Sequence, residues 1–116
     1  MSKCLDRNRE FLKRLKDASE EERQTLIQAA TPDQIRILTE ISINILAGKF
    51  QLKKHHLKKL VDHKHIIRKL AKTRLSHKAK KVLLNQSGGF LPFIITPVLA
   101  ALGGLAGKFI GSQLGL

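Results

Sequence analysis

Five histidines fall within residues 49–81, and two of their spacings, His55-His56 and His63-x-His65, are ones that metal sites use. The same segment carries thirteen Lys and Arg against Asp62 alone, a net of +12. That density of cations repels a metal ion, and no Cys or carboxylate cluster stands by to complete a ligand set. No metal and no cofactor is therefore expected. The chemistry these residue types support is electrostatic. Imidazoles gain charge as pH falls below about 6.5, which adds to a field that is already positive.

Neutralising phosphates needs cations at density rather than at fixed positions. The candidate nucleic-acid-binding residues are Lys49, Lys53, Lys54, Lys58, Lys59, Lys64, Arg68, Lys69, Lys72, Arg74, Lys78, Lys80 and Lys81. Arg68 and Arg74 can hold a phosphate through two parallel hydrogen bonds, while the lysines act as point charges. With no Trp or Tyr and five Phe, a base-stacking platform is not expected. The reading is sequence-independent binding of double-stranded DNA. No nucleophile elbow and no phosphate loop occurs, and the glycines do not follow a strand, so the chain is not expected to be an enzyme.

The +13 charge of the 116 residues is local. Residues 1–48 hold eight Lys/Arg and eight Asp/Glu, and beyond Lys81 the only charge is Lys108. A field confined this way points to one polyanion-binding face rather than to general solubility. Cys4 is the single cysteine, so no intrachain disulfide forms and a reduced interior fits. The first twenty residues are charged throughout, and no secretory signal is expected.

The elements that must position the cations read as helices, and the fold class is all-α: a small bundle of short helices with a basic face, followed by an apolar, Gly-rich helical tail. Leu5, Phe11, Leu12 and Leu15 recur near helical spacing. Ser19 with Glu22 forms a capping box that starts a second short helix, which ends near Ala30. Thr31-Pro32-Asp33-Gln34 starts a third, whose broad apolar face centres the core and which stops at Gly48. Leu52, Leu57, Leu60, Val61, Ile66, Ile67 and Leu70 mark an apolar stripe between the cations, broken into two helices at Asp62 or His63. Those helices are expected to pack on the 31–47 helix and present Lys and Arg outward. Ser76 caps a last helix over 77–85.

Four regions follow: a charge-neutral helical region, 1–48; a basic helical region, 49–85; a Gly-Gly join, 86–89; and an apolar tail, 90–116. Ser-Gly-Gly has no helix preference, so the join reads as flexible. The tail divides at Pro97. Residues 90–96 are expected to be extended or loosely helical, and 98–116 can form one helix of about 28 Å, near the ~30 Å of a hydrocarbon core. Gly103, Gly107, Gly111 and Gly115 recur every four residues, a stripe that lets another helix approach closely. The tail is read as a membrane-active or self-associating module, in preference to a hairpin buried in the core.

The run Ser87-Gly88-Gly89-Phe90-Leu91-Pro92-Phe93-Ile94-Ile95-Thr96-Pro97-Val98-Leu99-Ala100-Ala101-Leu102-Gly103 resembles the adenovirus core protein X precursors, source of the mu peptide. Small proteins of adintoviruses and Polinton/Maverick elements are similar in arrangement, with a helical region in front. The likeness covers roughly residues 74–107. It implies that an adenovirus-type cysteine protease cuts the Gly89–Phe90 bond, with Gln86, Ser87, Gly88, Gly89 and Phe90 as the cleavage-site residues. The chain departs from the family in being Lys-rich rather than Arg-rich, in having Gln86 where Met, Ile or Leu is more typical, and in its first 48 residues.

Together these readings imply a virion core protein that binds and condenses viral DNA, matured at Gly-Gly, located in the virion core and in the host nucleus during assembly. The alternative is a membrane-active viral protein, lytic or anchoring, whose basic region docks on anionic lipid at a host membrane during entry.

Overall fold

The structure is a computed structural model that describes residues 2–50, 52 and 54–107; for Ser2, Cys4 and residues 101–107 it describes the helical backbone alone. Every regular element among the described residues is helical. In chain order these are α1 (Ser2–Arg7), α2 (Arg9–Asp17), α3 (Glu20–Gln28), α4 (Pro32–Leu46), α5 (Lys54–Asp62), α6 (Lys64–Leu70), α7 (His77–Ser87), a 3-10 turn (Gly88–Phe90) and α8 (Leu91–Gly107).

The helix starts follow local chemistry. Ser19 Oγ accepts from the Glu22 amide at 3.2 Å, and the Ser19 amide donates to Glu22 Oε1 at 3.0 Å. Thr31 and Gln34 form the same reciprocal pair at 3.1 and 2.9 Å, with Pro32 at the first helical position. Ser76 Oγ accepts from the Ala79 amide at 3.1 Å. α4 ends in a left-handed residue, Gly48 at φ +73°. The Lys49 amide reaches back to the Asn44 carbonyl and the Gly48 amide to Ile45, each at 3.0 Å, which satisfies two carbonyls that the helix end would leave bare.

The N-terminal periodicity is one helix on paper and two in space. Asn8 interrupts it: its side chain, 5% exposed, turns inward and donates to Asp33 Oδ2 at 3.1 Å. Arg7 meets the same carboxylate at 2.9 Å, and Arg36 meets it at 3.2 Å. This junction ties α1 to the first turn of α4 and holds the Asp33 carboxyl below the usual carboxylate range, chiefly through the Arg7 hydrogen bond and then that of Asn8.

α4 is central, packed against α1, α6, α7 and α8. α2 lies along α8, and α3 along α7. α6 sits on α4 as expected, but α5 packs on α8. The join and the tail therefore need correction. Gly88 is buried in the turn between α7 and α8, and Phe90, Leu91, Ile94, Ile95 and Val98 have no exposed surface. The first part of the tail is core, not a free module. At about 2 kcal/mol for each fully buried side chain, these five contribute on the order of 10 kcal/mol before entropy is charged. That is comparable to the net stability of a whole domain, about 5–15 kcal/mol.

α8 also runs through Pro97 instead of starting after it. A proline inside a helix costs about 3 kcal/mol. Burial of Ile94, Ile95 and Val98 offsets this with about 6 kcal/mol. Thr96 Oγ1 donates to the Pro92 carbonyl at 2.6 Å, one turn back. The stretch His77–Ala100 is long and apolar enough to cross a membrane by length and composition, and 39% of its most apolar window is buried in the body.

Candidate nucleic-acid interface

α5 breaks from α6 at His63, whose imidazole Nδ1 donates to the Lys59 carbonyl at 2.9 Å and so caps the end of α5. The ring also stacks on Phe90, with centroids 5.6 Å apart and planes 28° from parallel. Two turns back, His56 meets the edge of Phe93 at 6.1 Å, and Lys59 Nζ lies 5.5 Å from the same ring's centroid. His56, Leu60 and His63 thus form the inward stripe of α5, laid on the Phe90–Phe93 side of the join. His55 tilts against His56 at 4.1 Å. Among the described residues, no three of His, Cys, Asp and Glu come together as a ligand set.

With that stripe turned inward, the cations point out. Lys49, Lys54, Lys58, Lys59, Lys64, Arg68, Lys69, Lys72, Arg74 and Lys78 are all exposed. They are spread from the end of α4 over α5, α6 and the turn into α7. Every ion pair among the described residues lies in the N-terminal part, from Asp6 to Arg36. These ten charges are therefore not committed to carboxylates among the described residues. Lys53 lies outside the described residues.

Two of the thirteen predicted cations serve the fold. Lys80 is 2% exposed and cannot reach a phosphate; its ammonium donates to the Thr39 hydroxyl on α4, and burial lowers its pKa. Lys81 is half-buried and donates to the Gln28 carbonyl at 3.0 Å, where the C-terminal end of α3 favours a positive charge. The signal in the sequence is the spacing: Lys80, Leu84 and Ser87 stand at i, i+4 and i+7, one helical stripe, and Leu84 is buried. Density of charge alone does not distinguish a cation on that stripe from one opposite it.

No protein-family model, no curated protein and no solved structure matches the chain. The site's character thus rests on its own geometry.

The predicted cleavage residues are together but not open. Gln86 and Gly89 are exposed, Ser87 is half-buried, and Gly88 and Phe90 are buried. A side chain at Gly88 would meet Arg23 Nε at 3.2 Å, whereas one at Gly89 would meet nothing. Of the glycine stripe, Gly103 and Gly107 lie in the backbone of α8, and Gly111 and Gly115 lie outside the described residues, as does Lys108.

Proposed function

We propose that the chain binds double-stranded DNA without sequence preference through the outer faces of α5 and α6 and the turn that follows, and condenses it inside a virion. The observation that carries this reading is the set of ten exposed cations that make no ion pair among the described residues, with Asp62 the single acid in their segment. Such a surface gains affinity by releasing counterions from the phosphate backbone, which needs no base contact. The likeness of the join to the adenovirus core protein X precursors supports the virion setting. On this reading Gly89–Phe90 is cut while the chain is open, because Phe90 is sealed in the core once it has folded.

The test is salt dependence of binding to duplexes of unrelated sequence. If all ten cations met phosphates, the log–log slope would be about −9, and about half that is expected for a curved face. Equal affinity at low and high salt, or strong preference for one sequence, overturns the proposal.

A further inference from the structure

Lys54, Leu57, Lys58 and Val61 stand at i, i+3, i+4 and i+7 of α5, one helical stripe, and all four are exposed. Leu57 is 47% exposed and Val61 66%, one turn apart and opposite the inward stripe of His56 and Leu60. α5 is thus held by one stripe and presents a second, of alternating cation and aliphatic side chain, to solvent. Phosphates have no use for Leu57 and Val61, since an aliphatic side chain against a phosphate oxygen gives up water and gains no partner. We propose that this stripe docks the folded protein on an anionic bilayer, with Leu57 and Val61 entering the acyl boundary and Lys54 and Lys58 extending to the headgroups.

The chemistry of the face selects this occupant. A lysine buries its methylene stem along apolar surface while its ammonium stays with water or phosphate, which is the arrangement that flanks an inserted aliphatic residue at an interface. Lys64 and Lys69, exposed on α6, add to the positive field. Juxtamembrane cations of this kind attract a negatively charged leaflet over about a Debye length. A protein partner would need a shaped receptor for the aliphatic pair. The stripe is convex and two aliphatic residues long, which a deformable bilayer accepts and a helix groove does not match well. The face therefore serves two polyanions in one protein. Lysines are common to both, and the aliphatic pair is specific to lipid.

The experiment uses the full chain and two probes: phosphatidylcholine vesicles with and without phosphatidylserine, and a short DNA duplex. Wild type is expected to sediment with phosphatidylserine vesicles and not with phosphatidylcholine alone. Leu57→Gln with Val61→Gln is expected to lower vesicle partitioning by about tenfold and leave duplex affinity unchanged, whereas Lys54→Gln with Lys58→Gln lowers both. Because Leu57 and Val61 are exposed, the Gln pair should keep the wild-type circular dichroism spectrum and melting curve. Wild type that ignores phosphatidylserine vesicles, or a Gln pair that partitions like wild type, overturns the proposal. A Gln pair that keeps vesicle binding but loses binding to an acidic amphipathic peptide assigns the stripe to a protein and overturns it too. A chain that binds vesicles and not the duplex removes the nucleic-acid reading and leaves this one standing.

Discussion

The ammonium of Lys80 donates to the hydroxyl of Thr39, joining α7 to the middle of α4, with both side chains buried. Thr39 passes the interaction on: its hydroxyl donates to the Ile35 carbonyl at 3.3 Å. Among the described residues no carboxylate pairs with Lys80, so the site holds a charge that its surroundings only partly compensate. Replacing it should help. Lys80→Met is expected to stabilise the fold by about 1 kcal/mol in urea unfolding, since a buried charge exchanged for an apolar chain of similar length loses its desolvation cost. Duplex affinity should not change, because Lys80 is buried away from the proposed interface.

The same burial sets a pH dependence. A lysine whose folded pKa is lowered binds fewer protons folded than unfolded, so stability rises with pH between the folded value and the ordinary 10.5. Unfolding midpoints measured up to pH 10 should rise in wild type relative to Lys80→Met. Parallel curves for the two proteins would show that the ammonium is hydrated.

Thr39→Val removes the acceptor and leaves the ammonium bare. It is expected to cost about 1–3 kcal/mol alone and much less in the Lys80→Met background. A double-mutant cycle in urea reads the difference, and additive costs would disprove the coupling.

Asp33 responds to pH in the same direction but in the acid range. Its carboxyl is held below the ordinary value by Arg7 and Asn8, so the stability it contributes is present above the unfolded pKa and lost as pH falls through the folded one. Acid titration followed by the helical circular dichroism signal should show wild type losing stability below about pH 4. Asp33→Asn, already without the ion pair with Arg7, should titrate more flatly there.

Cleavage at Gly89–Phe90 by an adenovirus-type protease should be slow on the folded chain and rise steeply in partly denaturing urea. Phe90→Ala, expected to cost about 3–5 kcal/mol, should speed it in buffer. Gly89→Ala should leave the fold intact or stabilise it by about 0.5–1 kcal/mol, because its Cβ meets nothing. Equal cutting of wild type with and without urea would mean that the join opens on its own.

What the sequence discloses and what it withholds divide by range. Ser19, Thr31, Ser76, Gly48 and a break at Asp62 or His63 were legible because each acts on the backbone within about five residues. The all-α class follows from them. The exposed cations were legible as a set, because charge density needs no register. Lys80 was not, because its role depends on which side of α7 faces Thr39, 41 residues earlier. Leu57 and Val61 fit an apolar stripe on paper, yet they point outward. His56, Leu60 and His63 take the inward face because Phe90 and Phe93 lie beneath them. The tail misled for the same reason. A Gly-Gly pair and an apolar run describe a linker and a detached helix equally as well as a turn and a core helix, and only the partner α2 decides between them.

The pairing of α2 with α8 has a consequence for synthesis. α2 emerges early with Phe11, Leu12 and Leu15 prepared for burial, but the helix it packs against begins at Leu91. At about 5–20 residues per second, a ribosome takes roughly 4–16 s to cover that distance. Throughout that interval α2 lacks α8, the helix that covers its buried face, and that face closes only after residues 91–98 have been made. A nascent or truncated chain ending before Val98 therefore presents a sticky N-terminal half to its surroundings, and a chaperone or an early partner would find its docking site there.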